Sequence, residues 1–397
     1  MLDGRSGATA GYREVFAVAE FRALLVSQVL SVGGDQLARV ALTVLVYAHT
    51  GSTLLAATAY AASIAPQFLG GVLLSGLADR WPRRGIMIAC DLARIPLALL
   101  MAAPGMPTAA LIGLLCAVTA LGAPFGAARA AIVPDVLGDT FPLGTAVMMT
   151  TYQAAQVAGF LVGGAVVGFL GARAAICADA GTFLVSAVIL AFGVHGRQAP
   201  AVGRAATTTE GEGLLAAVRF VFGTRAVRVP MLLGWVSAAY NVPEGIAVPL
   251  ARAAGGGPVA ASALMAAPAL GAAVGAMALA RLAPPALRER LTAPLAFAAC
   301  AALTAVVLRP GLAGLLVILL ASGLCDSYQV GANAAFVAAV PDARRSQAFG
   351  LAMGGMQLGQ GMAMILAGAA ASHAAPWLVI AVTGAVGAAA SLLVAFS

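Results

Sequence analysis

The sequence predicts an all-α membrane protein whose twelve transmembrane helices form two pseudo-symmetric halves of six. Three observations carry this prediction: an apolar composition, twelve apolar stretches of spanning length, and a motif that recurs half a chain later. The 397 residues are 61% hydrophobic and only 9% charged, whereas soluble domains average about a quarter charged residues. Such a chain cannot cover itself with a water-facing surface, so it belongs in a bilayer.

The apolar stretches are long enough to be helical spans, because the hydrocarbon core of a bilayer requires about 20 residues of helix. Backbone groups in lipid must bond within their own segment, which favours helices. The first six, spans 1 to 6, lie near 21–48, 54–78, 86–103, 107–128, 143–170 and 172–193. Spans 7 to 12 lie near 229–250, 259–280, 291–308, 312–340, 348–371 and 376–396.

The distribution of basic residues predicts the orientation. Every basic residue is an arginine, and all but Arg39, Arg173, Arg252 and Arg309 fall in or beside loops on one side of the twelve spans. The positive-inside rule then places both termini in the cytoplasm, and we expect the protein in the inner cell membrane. The net charge of +7 therefore reflects topology, not nucleic-acid binding. The charged first twenty residues lack the pattern of a cleaved signal peptide.

A polar connection divides the chain into two halves. It includes RQAPAVGRAATTTEGEG, a linker composition. We expect an N-terminal half over 1–194, a cytoplasmic linker over 195–228 and a C-terminal half over 229–397. The triplet at 133–135, Val-Pro-Asp, recurs at 340–342 in the matching position between spans 10 and 11. This echo predicts that the halves are parallel copies, an arrangement typical of rocking transporters.

The loop between spans 2 and 3 carries a dense charge motif, SGLADRWPRRGIMIACDLAR. One reading is simple positive-inside retention. The other is a conformational latch, in which Asp79 faces a helix dipole and the arginines pair with acids such as Asp135. The latch hypothesis names Asp79, Arg80, Arg83, Arg84, Asp91, Arg94 and Asp135.

This loop resembles the signature of the major facilitator superfamily, Gly-x-Leu-Ala-Asp-Arg-x-Gly-Arg-Arg/Lys, although Ser75 and Pro82 stand in place of its glycines. SVGGD, YAHTGS, ADAGTFLVSA and VPDARRSQAFG resemble its drug- and siderophore-exporter branch. The resemblance implies the major facilitator fold, alternating access, a cavity lined by spans 1, 4, 7 and 10, and a loop motif that locks the halves. The antiporter motif of span 5 is incomplete: Gly164 replaces its proline and Val167 a glycine. We therefore interpret the span 5 glycines as close packing.

Charges inside the spans are the candidate site residues, because an acid at the bilayer centre costs about 2.5–3.5 kcal/mol on insertion scales. Helical geometry groups them into three narrow polar faces. These are Gln28, Asp35 and Arg39 in span 1, Asn241 and Glu244 in span 7, and Asp326, Gln329 and Asn333 in span 10. We predict that they line the substrate cavity and couple substrate transport to proton movement.

Alternatives remain open for several of these charges. Asp35 and Arg39 could form a self-neutralising pair at i,i+4, or Asp35 could alternate between Arg39 and a proton, with Gly33 and Gly34 letting span 1 bend. Glu244 could be a loop-edge acid. Asp179 in span 6 is expected to bond between helices.

The sequence favours transport over catalysis. The histidines and cysteines have no metal-ligand spacing and no nucleophile–base constellation is present, so we expect no enzyme activity and no cofactor. A chain without lysine has no Walker-type phosphate loop, which leaves an ion gradient as energy source. We predict a monomeric, proton-coupled efflux antiporter for a small amphiphilic compound, such as an antibiotic, a siderophore or another metabolite. An importer of the same fold and a non-transporting lipid-binding or sensory membrane protein are the alternatives.

Overall fold

A computed structural model describes residues 11–68, 70, 81–197, 218–341 and 344–396 of the chain. A short helix, Tyr12–Ala17, precedes the bundle. The N-terminal spans are Ala19–Thr50, a second span that begins with Thr53–Ala61, then Arg83–Ala102, Thr108–Leu137, Phe141–Leu170 and Ala172–Gly193. Span 7 consists of Arg225–Trp235, Ser237–Tyr240, Val242–Gly245 and Ala247–Ala253. Spans 8 to 12 are Pro258–Leu282, Pro285–Thr304, Gly311–Asp326 with Tyr328–Ala339, Arg345–Ala370 and Pro376–Phe396.

The predicted all-α membrane fold is confirmed. Among the described residues, 8 helices are long and apolar enough to cross a membrane, and one of them, Thr108–Leu170, contains both span 4 and span 5. Spans 2, 7 and 11 are not in this set. The stretch predicted as span 2 includes residues outside the described ranges, span 7 is broken into short helices, and span 11 is rich in glycine and glutamine.

Glycines end two of the N-terminal spans where the backbone turns left-handed. Gly51 has a φ of 63°, and its N–H donates to the Tyr47 carbonyl at the end of span 1. Gly171 has a φ of 87° between spans 5 and 6. Only glycine adopts this conformation without a Cβ penalty, so these positions fix where one span stops and the next begins.

The two halves repeat one packing pattern. Span 1 packs against spans 5 and 6, and span 3 packs against spans 4 and 6; in the second half span 7 packs against 11 and 12, and span 9 against 10 and 12. The halves meet along two seams, span 5 with span 8 and span 2 with span 11. Spans 5 and 8 are the counterparts of spans 11 and 2 in the other half. The two seams therefore correspond to each other, as the pseudo-symmetry predicted from the repeat requires.

The glycines of span 5 serve two different packing faces. A Cβ on Gly159 would lie 2.7 Å from the Gly33 carbonyl oxygen, and one on Gly163 would lie 2.9 Å from Leu37 Cα, so these two glycines let span 1 approach. A Cβ on Gly164 would lie 1.6 Å from Ser262 Oγ of span 8. Close packing, the interpretation chosen from the sequence, accounts for all three.

The glycine pair in span 1 lies at a helix crossing, and it does not break the helix. The helix Ala19–Thr50 is continuous through it. A Cβ on Gly34 would lie 2.3 Å from Thr182 Oγ1 and 2.4 Å from Asp179 Oδ1 of span 6, whereas the nearest atom to one on Gly33 is 3.9 Å away. Gly34 therefore lets span 6 bring Asp179 against span 1, one residue before Asp35.

The start of span 1 and the end of span 6 lie on the same side of the bundle, called here the terminus side. Glu20 accepts a hydrogen bond from the His195 backbone N–H at 2.6 Å and lies 2.7 Å from Arg197 Nη2. On the opposite side the two halves touch, because the Arg252 guanidinium of span 7 stacks over the Tyr47 ring of span 1, 5.1 Å from its centroid. The sequence did not single out either contact.

Candidate transport site

A polar cavity of about 120 Å³ lies within the N-terminal half. Spans 1 to 6 all contribute to its wall, although the resemblance implies that spans 1 and 4 of this half line the cavity. Its charged and hydrogen-bonding lining includes Asp35, Gln36, Arg39, Gln67, Arg94, Arg129, Tyr152 and Asp179. Ionisable groups inside a membrane bundle are costly unless they have partners or water, so the contacts of each one indicate what it can do.

Asp35 and Arg39 do not form the self-neutralising pair. No side-chain nitrogen of Arg39 lies within 4.0 Å of an Asp35 oxygen. The Arg39 guanidinium instead donates to the Ser63 carbonyl at 3.2 Å and stacks over the Tyr60 ring, 5.3 Å from its centroid. Asp35 is left facing the cavity, with no hydrogen bond to a described residue.

Arg94 lies at the centre of the N-terminal half and not in the loop-edge latch where the sequence placed it. Its side chain is 2% exposed, and Nη1 lies 3.5 Å from Ser31 Oγ and 3.8 Å from Asp91 Oδ1. The rings of Phe125 and Phe183 sandwich the guanidinium at 5.5 and 5.1 Å. Asp91 and Arg94 are thus buried far from the surface charges of the latch.

Arg129 and Asp179 complete the buried charge cluster. Arg129, which the sequence placed at a span edge, lines the cavity and stacks over Phe125 at 5.7 Å. Asp179 is fully buried; its Oδ1 lies 3.3 Å from Thr182 Oγ1, and its Oδ2 has no hydrogen-bond partner. The sequence assigned Asp179 to bonding between helices, but the one side-chain bond it makes to a described residue is within its own helix.

A hydrogen bond joins the two halves beside this cavity. The Tyr60 hydroxyl of span 2 donates to Glu244 Oε2 of span 7 at 2.5 Å. Because Arg39 stacks on the same tyrosine, the three side chains form a continuous polar connection from span 1 to span 7. Glu244 is therefore an internal acid that contacts the other half, and not a loop-edge acid.

A second cluster of polar side chains lies within the C-terminal half. The Tyr240 hydroxyl donates to Asp326 Oδ1, and the Gln329 amide donates to that same oxygen and to the Tyr240 oxygen, both at 2.6 Å. Asn241 and Asp326 lie where spans 7 and 10 break between helical segments. Interrupted helices mark binding sites in many transporters, because they free backbone groups at membrane depth.

A groove beside this group mixes apolar and amide side chains. Gln329 and Asn333 line it, together with Trp235 and the apolar side chains of Met231, Phe336, Phe349, Met353 and Met356. Trp235 is held in place by its indole N–H, which donates to the Ala352 carbonyl at 2.9 Å. Flat rings and flexible thioethers accommodate varied apolar ligands, while the amides can bond a polar substituent.

Gln28 does not join the site predicted for it. It is 2% exposed, and its amide donates to the Met148 carbonyl of span 5 at 2.7 Å. Although Gln28 shares a helix face with Asp35, it lies farther toward the start of the helix and does not line the cavity. Its hydrogen bond connects span 1 to span 5.

Of the five other latch residues, two are not described by the structure and three bind within the N-terminal half. Asp79 and Arg80 lie outside the described residues. Arg83 Nη1 lies 2.7 Å from Asp135 Oδ2 and 2.6 Å from the Ala131 carbonyl oxygen, which joins spans 3 and 4. Arg84 donates to the Leu190 and Ala191 carbonyls at the end of span 6. All these contacts are within the N-terminal half, where they hold spans 3, 4 and 6 together.

Besides Arg94, sequence reasoning missed or misplaced four site residues, Tyr60, Arg129, Asp179 and Tyr240. Arg129 and Asp179 carried a usable signal, since each is a lone charge in an apolar stretch. Tyr60 carried none, because one tyrosine in an apolar helix fits lipid-facing or core packing equally well.

Comparisons with known proteins place the fold. The sequence profile of the Major Facilitator Superfamily matches residues 24–313, whereas no curated protein sequence matches. The structure is similar to that of the nucleoside transporter NupG, with a TM-score of 0.72 at 14% identity over 94% of this chain and 98% of that one. It is also similar to a mutant of the peptide transporter POT in complex with alafosfalin, with a TM-score of 0.73 at 14% identity over 94% and 93%.

A third similar structure is a bacterial homolog of the human lysosomal transporter Spinster, in an inward-facing and unoccupied conformation. Its TM-score is 0.66 at 15% identity, over 98% of this chain and 96% of that one. At these identities the solved structures show the fold alone. The family profile covers well over half of the sequence, and the chain therefore belongs to the Major Facilitator Superfamily.

Proposed function

We propose that this protein is a secondary active transporter that exports a small amphiphilic compound, such as a drug, a siderophore or another metabolite, in exchange for protons. The N-terminal half, 1–194, and the C-terminal half, 229–397, rock about a central site, joined by the linker 195–228. Both termini lie in the cytoplasm and the protein acts as a monomer in the inner membrane.

The observation that carries this proposal is the Tyr60–Glu244 hydrogen bond at 2.5 Å between the two halves. A bond of this kind at the centre of the bundle breaks when the halves separate and forms again when they close. Tyr60 contacts Arg39 directly, and Arg39 lines the same cavity as Asp35. A change in the charge of that cavity can therefore act on the contact between the halves.

The proposed substrate class follows from the two separate pockets, one in each half, which in this proposal form the opposite walls of one central site. The N-terminal wall carries charged groups that suit a polar or ionised substituent. The C-terminal wall carries the aromatic rings of Trp235 and two phenylalanines, with methionines, which suit an apolar skeleton. Asn333 on the same wall can form a hydrogen bond. A molecule with one polar end and one apolar body matches both, which is the definition of a small amphiphile.

Outward transport rests on the sequence motifs shared with exporters and on the proposed orientation. With cytoplasmic termini, the Arg252–Tyr47 contact and the packing of Gly168 against Val259 lie on the exterior side. Both would have to open before substrate could leave the cell. Substrate would enter the site from the cytoplasm or the inner leaflet.

Protons supply the energy through Asp35 in this proposal. Its carboxylate faces the cavity without an ion pair, with the cation of Arg39 turned away toward Tyr60. A carboxylate that has neither a fixed counter-ion nor a hydrogen bond in such a site is free to accept a proton from cavity water. Rocking then carries that proton to the other side.

The test is flux in proteoliposomes with an imposed pH gradient, read with a panel of fluorescent amphiphilic dyes. Asp35→Asn should abolish gradient-driven dye movement while leaving dye binding partly intact, because the amide has the same shape as the carboxyl group but cannot bind and release a proton. Asp139→Asn, at an exposed acid in the loop before span 5, is the matched control and should transport like the wild type.

Two results would contradict the proposal. Normal pumping by Asp35→Asn would exclude Asp35 as the coupling acid. Dye movement toward the cytoplasmic face, when proteoliposomes of both orientations are compared, would identify an importer.

A further inference from the structure

We propose that the coupling proton is bound by a pair of carboxyl groups, Asp35 of span 1 and Asp179 of span 6, in the cavity of the N-terminal half. The inference rests on the proposed proton-coupled transport and adds a second acid to its proton site. Asp179 is the group that the sequence assigned to helix bonding.

The first argument is the lack of hydrogen-bond donors around Asp179. Among the described residues its Oδ2 is buried without a hydrogen-bond partner, and so are the Oε1 of Gln36 and both carboxylate oxygens of Asp91, whose nearest cation, Arg94, lies 3.8 Å away. Four buried acceptor oxygens thus face only two buried unpaired donors among the described residues of this cluster, the Nε atoms of Arg39 and Arg94. Buried polar atoms are normally satisfied, so the cluster has room for added O–H donors. A protonated carboxyl group supplies one.

The second argument is charge balance. Three carboxyl groups (Asp35, Asp91 and Asp179) share this half with two guanidinium groups, those of Arg94 and Arg129, that face the same cluster. The third cation, Arg39, is directed toward Ser63 and the tyrosine bonded to Glu244. Tyr152 is the remaining titratable group on the wall. One excess negative charge in a buried site is expensive, and one proton removes it.

The third argument is access. Asp35 and Asp179 line the same cavity of about 120 Å³, which is large enough for a few water molecules. Gly34 holds span 6 so close that the Asp179 carboxyl lies directly beside the residue preceding Asp35. Asp35, which is partly exposed, takes the proton from this water and passes it to the buried Asp179 beside it. The step is a plain transfer, in which an O–H bond forms on one carboxylate as the bond to water or to the other carboxyl breaks.

Infrared spectroscopy tests the site directly, since a protonated carboxyl group has its own C=O stretching band. The wild-type protein in liposomes is titrated with acid and base, and the amplitude of that band is followed. Asp179→Asn should remove the amplitude of one titrating carboxyl group, and Asp35→Asn should shift the midpoint of what remains. Asp139→Asn should retain the wild-type midpoint and lose only the contribution of an exposed acid.

The full wild-type amplitude and midpoint in Asp179→Asn would overturn the proposal. The titration is repeated with sodium chloride replaced by choline chloride. An unchanged titration supports a proton site, whereas one that depends on sodium would show that a metal cation occupies it and would also overturn the proposal.

A second pair of variants covers the case in which Asp179→Asn does not fold. Gly34→Ala pushes a methyl group against the Asp179 carboxyl, whereas Gly33→Ala has no atom closer than 3.9 Å. The midpoint should shift in the first variant alone, and equal midpoints would contradict the site. None of these readouts needs transport. Loss of dye flux with an intact carboxyl titration would therefore refute the proposed function and leave the proton site standing.

Discussion

Alanine substitutions at the two adjacent glycines of the SVGGD motif, Gly33 and Gly34, should have opposite effects on stability. In span 1 the two glycines point to different neighbours. The Cβ of Gly34→Ala would lie 2.3 Å from Thr182 Oγ1 and 2.4 Å from Asp179 Oδ1, while that of Gly33→Ala would meet nothing within 3.9 Å. The pair therefore separates local helix preference from packing against span 6.

The magnitude follows from three terms. Alanine in place of glycine stabilises a helix interior by about 0.5–1 kcal/mol. Overpacking a filled contact costs about 1–3 kcal/mol, and displacing Thr182 from Asp179 loses a hydrogen bond of about 0.5–1.5 kcal/mol. Gly33→Ala receives only the first term and should be neutral or slightly stabilised. Gly34→Ala receives all three and should be destabilised by about 0.5–4 kcal/mol, the overpacking term being the largest.

The assay is thermal unfolding of both purified variants in the same detergent, followed by tryptophan fluorescence. Gly33→Ala should unfold at or above the wild-type temperature, and Gly34→Ala should unfold clearly below it. Equal unfolding temperatures would refute the close approach of spans 1 and 6, and with it the position of Asp179 beside Asp35.

Three other substitutions probe the remaining contacts. Tyr60→Phe leaves the partly buried carboxylate of Glu244 without its donor, so we expect a loss of about 1–3 kcal/mol, a lower unfolding temperature and altered dye flux; wild-type behaviour in both would show that the bond between the halves is unimportant. Gly323→Ala places a Cβ 2.1 Å from a span 8 carbonyl oxygen and should cost about 1–3 kcal/mol, whereas Gly113→Ala, with open space around it, should unfold like the wild type. Asp135→Asn removes a half-exposed ion pair, so a change of unfolding free energy well above about 1 kcal/mol would show that this pair does more than a surface salt bridge.

The fold could be predicted from the sequence because apolar length and repeat position are properties of single segments and of their order. Twelve spans and the half-repeat require no knowledge of contacts. The breaks in span 7 were not predicted, because Pro243 and Pro249 are tolerated inside membrane helices and their presence does not show where the helix stops.

The candidate site was predicted less completely, since helical periodicity reports the face of a residue but not its depth or neighbour. Gln28 and Asp35 share a face, yet Gln28 bonds to the Met148 carbonyl and Asp35 lines the cavity. The i,i+4 spacing of Asp35 and Arg39 allows a pair, but Tyr60, distant in the sequence, provides a competing partner for the arginine. Side chains brought together by tertiary packing cannot be deduced from spacing along one helix.

The back-to-back contacts of the glycine pair limit how the protein can move. Gly159 lets span 5 approach Gly33, and Gly34 lets span 6 approach on another face, so span 1 is wedged between two neighbours at one level. Sliding or rotation of span 1 by even one residue would drive side chains into both contacts. In the proposed transport cycle, spans 1, 5 and 6 should therefore move together as one rigid body, and the changes in packing should occur at the two seams between the halves.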